Sequence, residues 1–286
     1  MSQLRLVSHI PSRNLKRAYL DDLYVTGLCV LHGDVVLLAC HDGGVRALSL
    51  ESLRLSRCDP CAQKNVYNVA FDAATATLLL VVAEEAARDT RLWLVSLERG
   101  TRDWLEVERV QTELTPGSSN VGLQMAGDSR VLLGQEDTDS LYVFDVSAEH
   151  RLHDAGTVAL EHQLCRFACT SLGSDTLVAV TQYRGKCVLV HRLLDGPLLL
   201  KPLARTQLAR PGCVLWRGNQ LLVAYSPSVY DSHVVDSFLL SGALLMRQRQ
   251  LLAANTGSYS NQWCLAGDRL CVWEYNSKDL LLYVFE

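Results

Sequence analysis

The residue types in this chain that could do chemistry are few and scattered. Cys58 and Cys61 stand in Cys-Asp-Pro-Cys, the spacing of half a zinc site, but no second pair at matching spacing completes it. A redox role for the same pair would place it at the start of a helix, whereas here it links two strand-like runs. His150 and His153 flank Arg151-Leu152 in a polar turn, where paired imidazoles are expected to be solvated. No Ser-His-Asp context and no phosphate-cradling glycine loop is found. No catalytic residue, metal site or cofactor is therefore assigned. What remains is recognition chemistry: tyrosines and arginines in polar loops, the types enriched at interface hot spots.

The elements that must position those loops follow one repeated unit. Val35-Val36-Leu37-Leu38-Ala39-Cys40 is a short apolar run, too short for a helix and bounded by the turn residues Gly33-Asp34 and Asp42-Gly43-Gly44. That combination predicts a buried strand, followed across the glycines by a second one, Val45 to Leu50. The same grammar returns at Thr77–Val82 with Leu92–Leu97, Arg130–Gly134 with Leu141–Val146, and Thr176–Val180 with Cys187–Val190. It returns again at Gln220–Tyr225 with Val234–Leu239, and at Arg269–Trp273 with Leu280–Phe285. A glycine turn and a further apolar strand precede most pairs, as at Gly127, Gly173, Gly218 and Gly267. Strand, tight turn, strand, loop, strand and a weaker fourth strand repeat with a period of roughly 45 residues, the length of a propeller blade.

The expectation is an all-β, six-bladed β-propeller occupying residues 1–286 as a single domain. Its blades are placed at about 24–57, 66–110, 121–160, 165–208, 212–252 and 261–286. Seven blades would require splitting residues 98–130, where a single strand is left unassigned. The run Leu4-Arg5-Leu6-Val7 belongs to no full blade, and the last blade stops after its third strand. The N-terminal strand, within residues 3–10, is therefore expected to complete the last blade, removing two exposed sheet edges.

Composition narrows the function classes. The net charge of -4 argues against a general affinity for nucleic acid or anionic membrane. No apolar stretch reaches the length of a membrane span. Most of the ten cysteines lie inside apolar runs, where a reduced thiol behaves as a small hydrophobe. With no apolar signal core at the start of the sequence, the expected setting is cytoplasmic, nuclear or both.

The repeat resembles the WD40-like propeller superfold along the whole chain. The likeness is architectural: Leu97-Glu98, Phe144-Asp145 and Phe285-Glu286 stand where a Trp-Asp would close a third strand, and Gly43-Gly44 alone fits a kelch-type glycine pair. The resemblance implies that second-to-third-strand loops and inter-blade connections share one face. On that face the candidate partner-binding residues are His41, Asp42, Glu84, Glu85, Asp137, Tyr183, Arg184, Lys186, Tyr230, Asp231, Tyr259 and Tyr275. Blades two and three supply its acidic loops and blade four its basic ones, a bipolar arrangement suited to orienting a partner. The expected role is a non-catalytic scaffold subunit that binds a protein or peptide within a larger assembly. An alternative comes from six-bladed metal-dependent lactonases and esterases: Asn68, Asn120 and Asn261 would line an axial funnel, although no carboxylate accompanies them. A third reading is nucleic-acid binding through the basic side of blades four and five.

Overall fold

The computed structural model of the chain describes residues 4–11, 24–41, 43–58, 65–83, 92–100, 104–114, 120–127, 129–194, 198–227, 234–253, 262–274 and 277–286. Strand β1 (Leu4–Ile10) comes first and stands apart from the blade that follows it. Blade one holds β2 (Val25–His32), β3 (Val35–Cys40), β4 (Gly44–Ser49) and β5 (Leu55–Cys58). Blade two holds β6 (Asn65–Asp72), β7 (Thr77–Ala83), β8 (Leu92–Arg99) and β9 (Trp104–Gln111). Blade three holds β10 (Val121–Met125), β11 (Arg130–Gln135), β12 (Ser140–Val146) and β13 (Leu152–Ala159). Blade four holds β14 (Arg166–Leu172), β15 (Asp175–Gln182), β16 (Cys187–Leu194) and β17 (Leu199–Gln207). Blade five holds β18 (Pro211–Arg217), β19 (Gln220–Tyr225), β20 (Val234–Ser241) and β21 (Leu244–Ala253). Blade six holds β22 (Gln262–Ala266), β23 (Arg269–Glu274) and β24 (Asp279–Phe285).

Each of the first five blades is an antiparallel meander in chain order. The sixth runs β1-β24-β23-β22, so the N-terminal strand closes the last blade as its outer member. Leu4 pairs with Phe285 and Ile10 with Leu280, with one bulge between Leu6 and Ser8. The six-bladed expectation and its closing strand are therefore the architecture observed.

Two local choices in the sequence make this possible. The turns between the first two strands of five blades place Gly33, Gly127, Gly173, Gly218 and Gly267 at φ between 50° and 74°, a region in which a side chain would be strained. Blade two lacks that glycine, and Asp72 builds its turn instead: Oδ1 accepts from the Ala74 amide at 2.9 Å and Oδ2 from the Thr75 hydroxyl at 2.6 Å.

The hydrophobic core lies between blades and not within them. One buried cluster sits at each neighbouring pair, from Leu37, Val45, Val69 and Leu80 between blades one and two to Leu38, Leu48, Trp273 and Leu282 between blades six and one. Strands in the second and third positions are apolar on both faces, because each face packs on a different neighbour. Burying each such leucine contributes about 1.5–3 kcal/mol.

Polar clasps tie neighbouring blades at the face where the innermost strands begin. Thr26 Oγ1 donates to the Val66 carbonyl at 2.7 Å, Asn68 Nδ2 to the Val121 carbonyl at 2.6 Å, and Thr181 Oγ1 to the Gly212 carbonyl at 2.8 Å. These clasps hold the rim on which the loops stand.

Candidate functional site

The rim between blades three and four carries a pocket of about 350 Å³, lined by Glu136, Asp137, Gln163, Leu164, Cys165, Tyr183 and Arg184. Three segments build it. The β11–β12 loop contributes Glu136 and Asp137, the connection from β13 to β14 contributes Gln163 to Cys165, and the β15–β16 turn contributes Tyr183 and Arg184.

Backbone hydrogen bonds fix these segments to one another. The Asp137 amide donates to the Leu164 carbonyl at 2.9 Å, and the Leu164 amide donates back to Thr138 at 2.6 Å. Asp137 holds φ at 67°, in the left-handed region, and is exposed. On the other wall, the Lys186 amide donates to the Tyr183 carbonyl at 3.2 Å and closes the turn. Gly185 lets that turn approach: a Cβ there would come within 3.2 Å of His162 Cδ2 and of Gln182 Oε1. Gln182 Nε2 donates to the His162 carbonyl at 3.0 Å, stitching the turn to the connection.

The charges in the pocket divide into spent and unspent. Glu136 Oε2 accepts from Asn120 Nδ2 at 2.6 Å and from Arg166 Nη1 at 3.3 Å, so its charge is neutralised across the blade boundary. Asp137 and Arg184 are exposed, and neither forms an ion pair among the described residues. Tyr183 is 43% exposed, a large ring presented beside the guanidinium. At the floor, burial pushes the Cys165 thiol up to about 11, with Arg166 only partly opposing it, so Cys165 stays protonated and acts as apolar surface. Oε1 of Gln163 is buried without a hydrogen-bond partner among the described residues.

The structure thus gathers Asp137, Tyr183 and Arg184 in one pocket, with Lys186 in the same turn. His41 stands elsewhere on the rim, edge-on between Tyr24 at 6.2 Å and Tyr67 at 5.3 Å, bridging blades one and two. Asp42, Glu84, Glu85, Tyr230, Asp231, Tyr259 and Tyr275 lie outside the described residues, as do Asn261 and Cys61. Of the proposed axial ring, Asn68 is 6% exposed and spends its amide on Val121 and on the Val69 amide. Asn120 is bound to Glu136 at the rim. Innermost strands of five blades enclose a space of about 240 Å³ lined by Leu28, Phe71, Gln124, Met125, Leu215 and Trp263 among others. Among the described residues, no three His, Cys, Asp or Glu side chains gather closely enough to hold a metal ion.

His150 corrects the reading of a solvated turn histidine. Its Nδ1 lies 2.7 Å from Thr77 Oγ1, and its carbonyl accepts from Ser96 Oγ at 2.6 Å, so the β12–β13 turn is docked on blade two. The Leu152 amide also donates to the Glu108 carboxylate on β9. The partners lie more than 40 residues away, beyond the reach of local pattern.

Sequence reasoning placed the loop 136–139 on the binding face but missed Gln163, Leu164 and Cys165 as pocket residues. The available signal was the polar connection after Leu160, which propeller geometry places on the same face as the loops.

Comparison with known proteins adds the fold and stops there. No protein-family profile matches the chain, and none of the curated proteins matches it. Among solved structures, a chain in the crystal structure of a mitotic checkpoint complex is similar over 98% of this chain and 95% of its own, at 11% identity and a TM-score of 0.58. The β-propeller domain of Cps50 (Swd1) from Myceliophteria thermophila is similar over 98% of this chain and 99% of its own, at 12% identity and a TM-score of 0.57. A protein from Lactobacillus plantarum is similar over 99% and 92%, at 13% identity and a TM-score of 0.62. At such identities the likeness shows the fold alone: the chain is a six-bladed β-propeller.

Proposed function

We propose that this propeller is a non-catalytic scaffold subunit that seats a segment of a protein partner on the rim between blades three and four. One observation carries the reading: loops of two different blades bring an exposed tyrosine, a guanidinium and a carboxylate around a single pocket. The pocket is large enough for one or two side chains of a peptide. Its walls are held by backbone bonds, so a partner meets a preformed surface and little ordering cost is added on binding. Tyr183 and Arg184 are the residue types that dominate interface energetics. One similar propeller was solved within a multiprotein complex, which accords with such a role. Nine free thiols among the described residues fit a reducing compartment.

The test is affinity capture with the full chain against Tyr183→Ala/Arg184→Glu. A partner recovered in stoichiometric amount with the wild type and lost with the variant supports the pocket. A partner retained by the variant refutes it and moves the interface elsewhere on the ring.

A further inference from the structure

The charge of this chain is unevenly spread around the ring. Residues 165–253, which make blades four and five, carry ten Lys and Arg against four Asp and Glu. The remaining residues carry 17 against 27. A net charge of -4 therefore conceals one strongly basic sector in an acidic ring.

Part of that basic sector stands beside the pocket. Arg184 and Lys186 occupy the β15–β16 turn. The Leu208 amide donates to the Lys186 carbonyl at 2.9 Å, which brings the end of β17 and the connection after it to the same place. Arg205 pairs with Leu189 in the ladder and lies against the Cys187 thiol, at the base of that turn. Arg210 follows in the connection, at φ 47°, with its carbonyl accepting from the Ser226 amide at 3.3 Å. Three of the other six cations of these two blades are spent on carboxylates, Arg166 on Glu136, Arg192 on Asp175 and Arg247 on Asp236, and Arg217 stacks on the Phe285 ring. Arg184, Lys186, Arg205 and Arg210 have no carboxylate within ion-pair distance among the described residues. Four uncompensated cations thus line one stretch of rim.

We infer that the segment seated in the pocket is an acidic peptide, whose carboxylates run from Arg184 across Lys186, Arg205 and Arg210 toward blade five. This rests on the pocket reading above and names the chemistry of its partner. On the blade-three side, Asp137 and Asp139 repel such a segment, so the rim fixes its direction as well as its charge. Charged contacts at a solvated rim act chiefly on encounter rate and orientation, while Tyr183 supplies apolar contact area. A nucleic acid fits less well. Its backbone presents phosphates over a long track, and a track leaving this short basic stretch toward blade three meets Asp137 and Asp139.

The experiment uses the full chain and a rhodamine-labelled peptide alternating glutamate and leucine, read by fluorescence anisotropy at low and high salt. Binding that weakens with salt, and that Lys186→Glu/Arg205→Glu weakens by about tenfold or more, is the expected result. Arg184→Gln/Arg210→Gln repeats the comparison by neutralisation, and an unchanged melting temperature shows that the ring is intact. No binding, binding indifferent to both variants, or tighter binding of oligothymidylate than of the peptide overturns the inference. The two readings separate cleanly: a partner captured by the wild type, lost with Tyr183→Ala and kept by Lys186→Glu/Arg205→Glu refutes the acidic segment and leaves the pocket standing.

Discussion

Asn68 on β6 lies between two blade boundaries, with its Nδ2 donating to Val121 of blade three and its Oδ1 standing where a Cβ on Gly27 of blade one would fall, 2.3 Å away. One side chain therefore bonds across one blade boundary and packs close against the other. Asn68→Ala leaves a buried carbonyl short of a partner and is expected to cost about 1–3 kcal/mol. Gly27→Ala should destabilise through collision with an amide that cannot swing aside, since both its ends are bonded. In the Asn68→Ala background the Gly27→Ala cost should shrink. Urea denaturation of the two single variants and the double variant measures that coupling; strictly additive losses would show that the contact is not what matters.

Strand β1 is expected to hold the ring shut. Deleting residues 1–10 exposes the whole edge of β24 and strips the cover from Leu281 and Tyr283. The melting temperature should fall by several degrees, at ~2–4 °C per kcal/mol lost, and the protein should associate through the bared edge. Calorimetry and light scattering check both; an unchanged melting temperature would refute the role given to β1.

His191 on β16 is 6% exposed, and neither ring nitrogen has a hydrogen-bond partner among the described residues. Burial holds its pKa below the usual imidazole value, and Glu161 opposes that only in part. The folded state thus favours the neutral ring. Above about pH 6.5 both states are neutral and nothing is lost; below it the unfolded chain takes up a proton that the fold refuses. Stability should decline as the pH falls through that range. His191→Leu should flatten the decline, judged by the difference in urea midpoints between variant and wild type from neutral to mildly acidic pH.

Asp236 is fully buried and is held by Arg247 Nε at 2.6 Å and by the Tyr225 hydroxyl at 2.8 Å. Burial, and then the Asp236 carboxylate, push the Tyr225 phenol up to about 12. Arg247→Met strands a buried charge and should cost about 1.5–3 kcal/mol. Adding Asp236→Leu should recover most of that loss, since an apolar pair needs no desolvation. Failure of the second change to rescue the first would mean that Arg247 acts through packing alone.

The chain announced its repeat because the second and third strands of each blade are buried on both faces. Val36 to Cys40 and Leu78 to Val82 are continuous apolar runs for that reason, and glycine punctuates them. The outer strands were harder to see. In β13, LHDAGTVA, and β17, LLKPLARTQ, one face is wet and a bulge breaks the alternation. Tyr183, Arg184 and Asp137 were legible as rim residues once strand order placed their loops on one face. Their meeting in a pocket was not, because it depends on the connection at Gln163 to Cys165 folding between two loops. The inter-blade clasps were equally hidden, since Asn68 and His150 spend themselves on groups 53 and 73 residues distant.

The pairing of Leu4 with Phe285 has a mechanical consequence. The two ends of the chain leave the ring side by side, with Arg5 and Glu286 in ion-pair contact at 2.5 Å. Tension applied through both ends therefore falls across the β1–β24 ladder and not along it. The load concentrates on the outermost hydrogen bond and passes to the next only when that one breaks. A ring held by six interlocked cores should then yield to a small pulling force, opening like a zipper from a single seam.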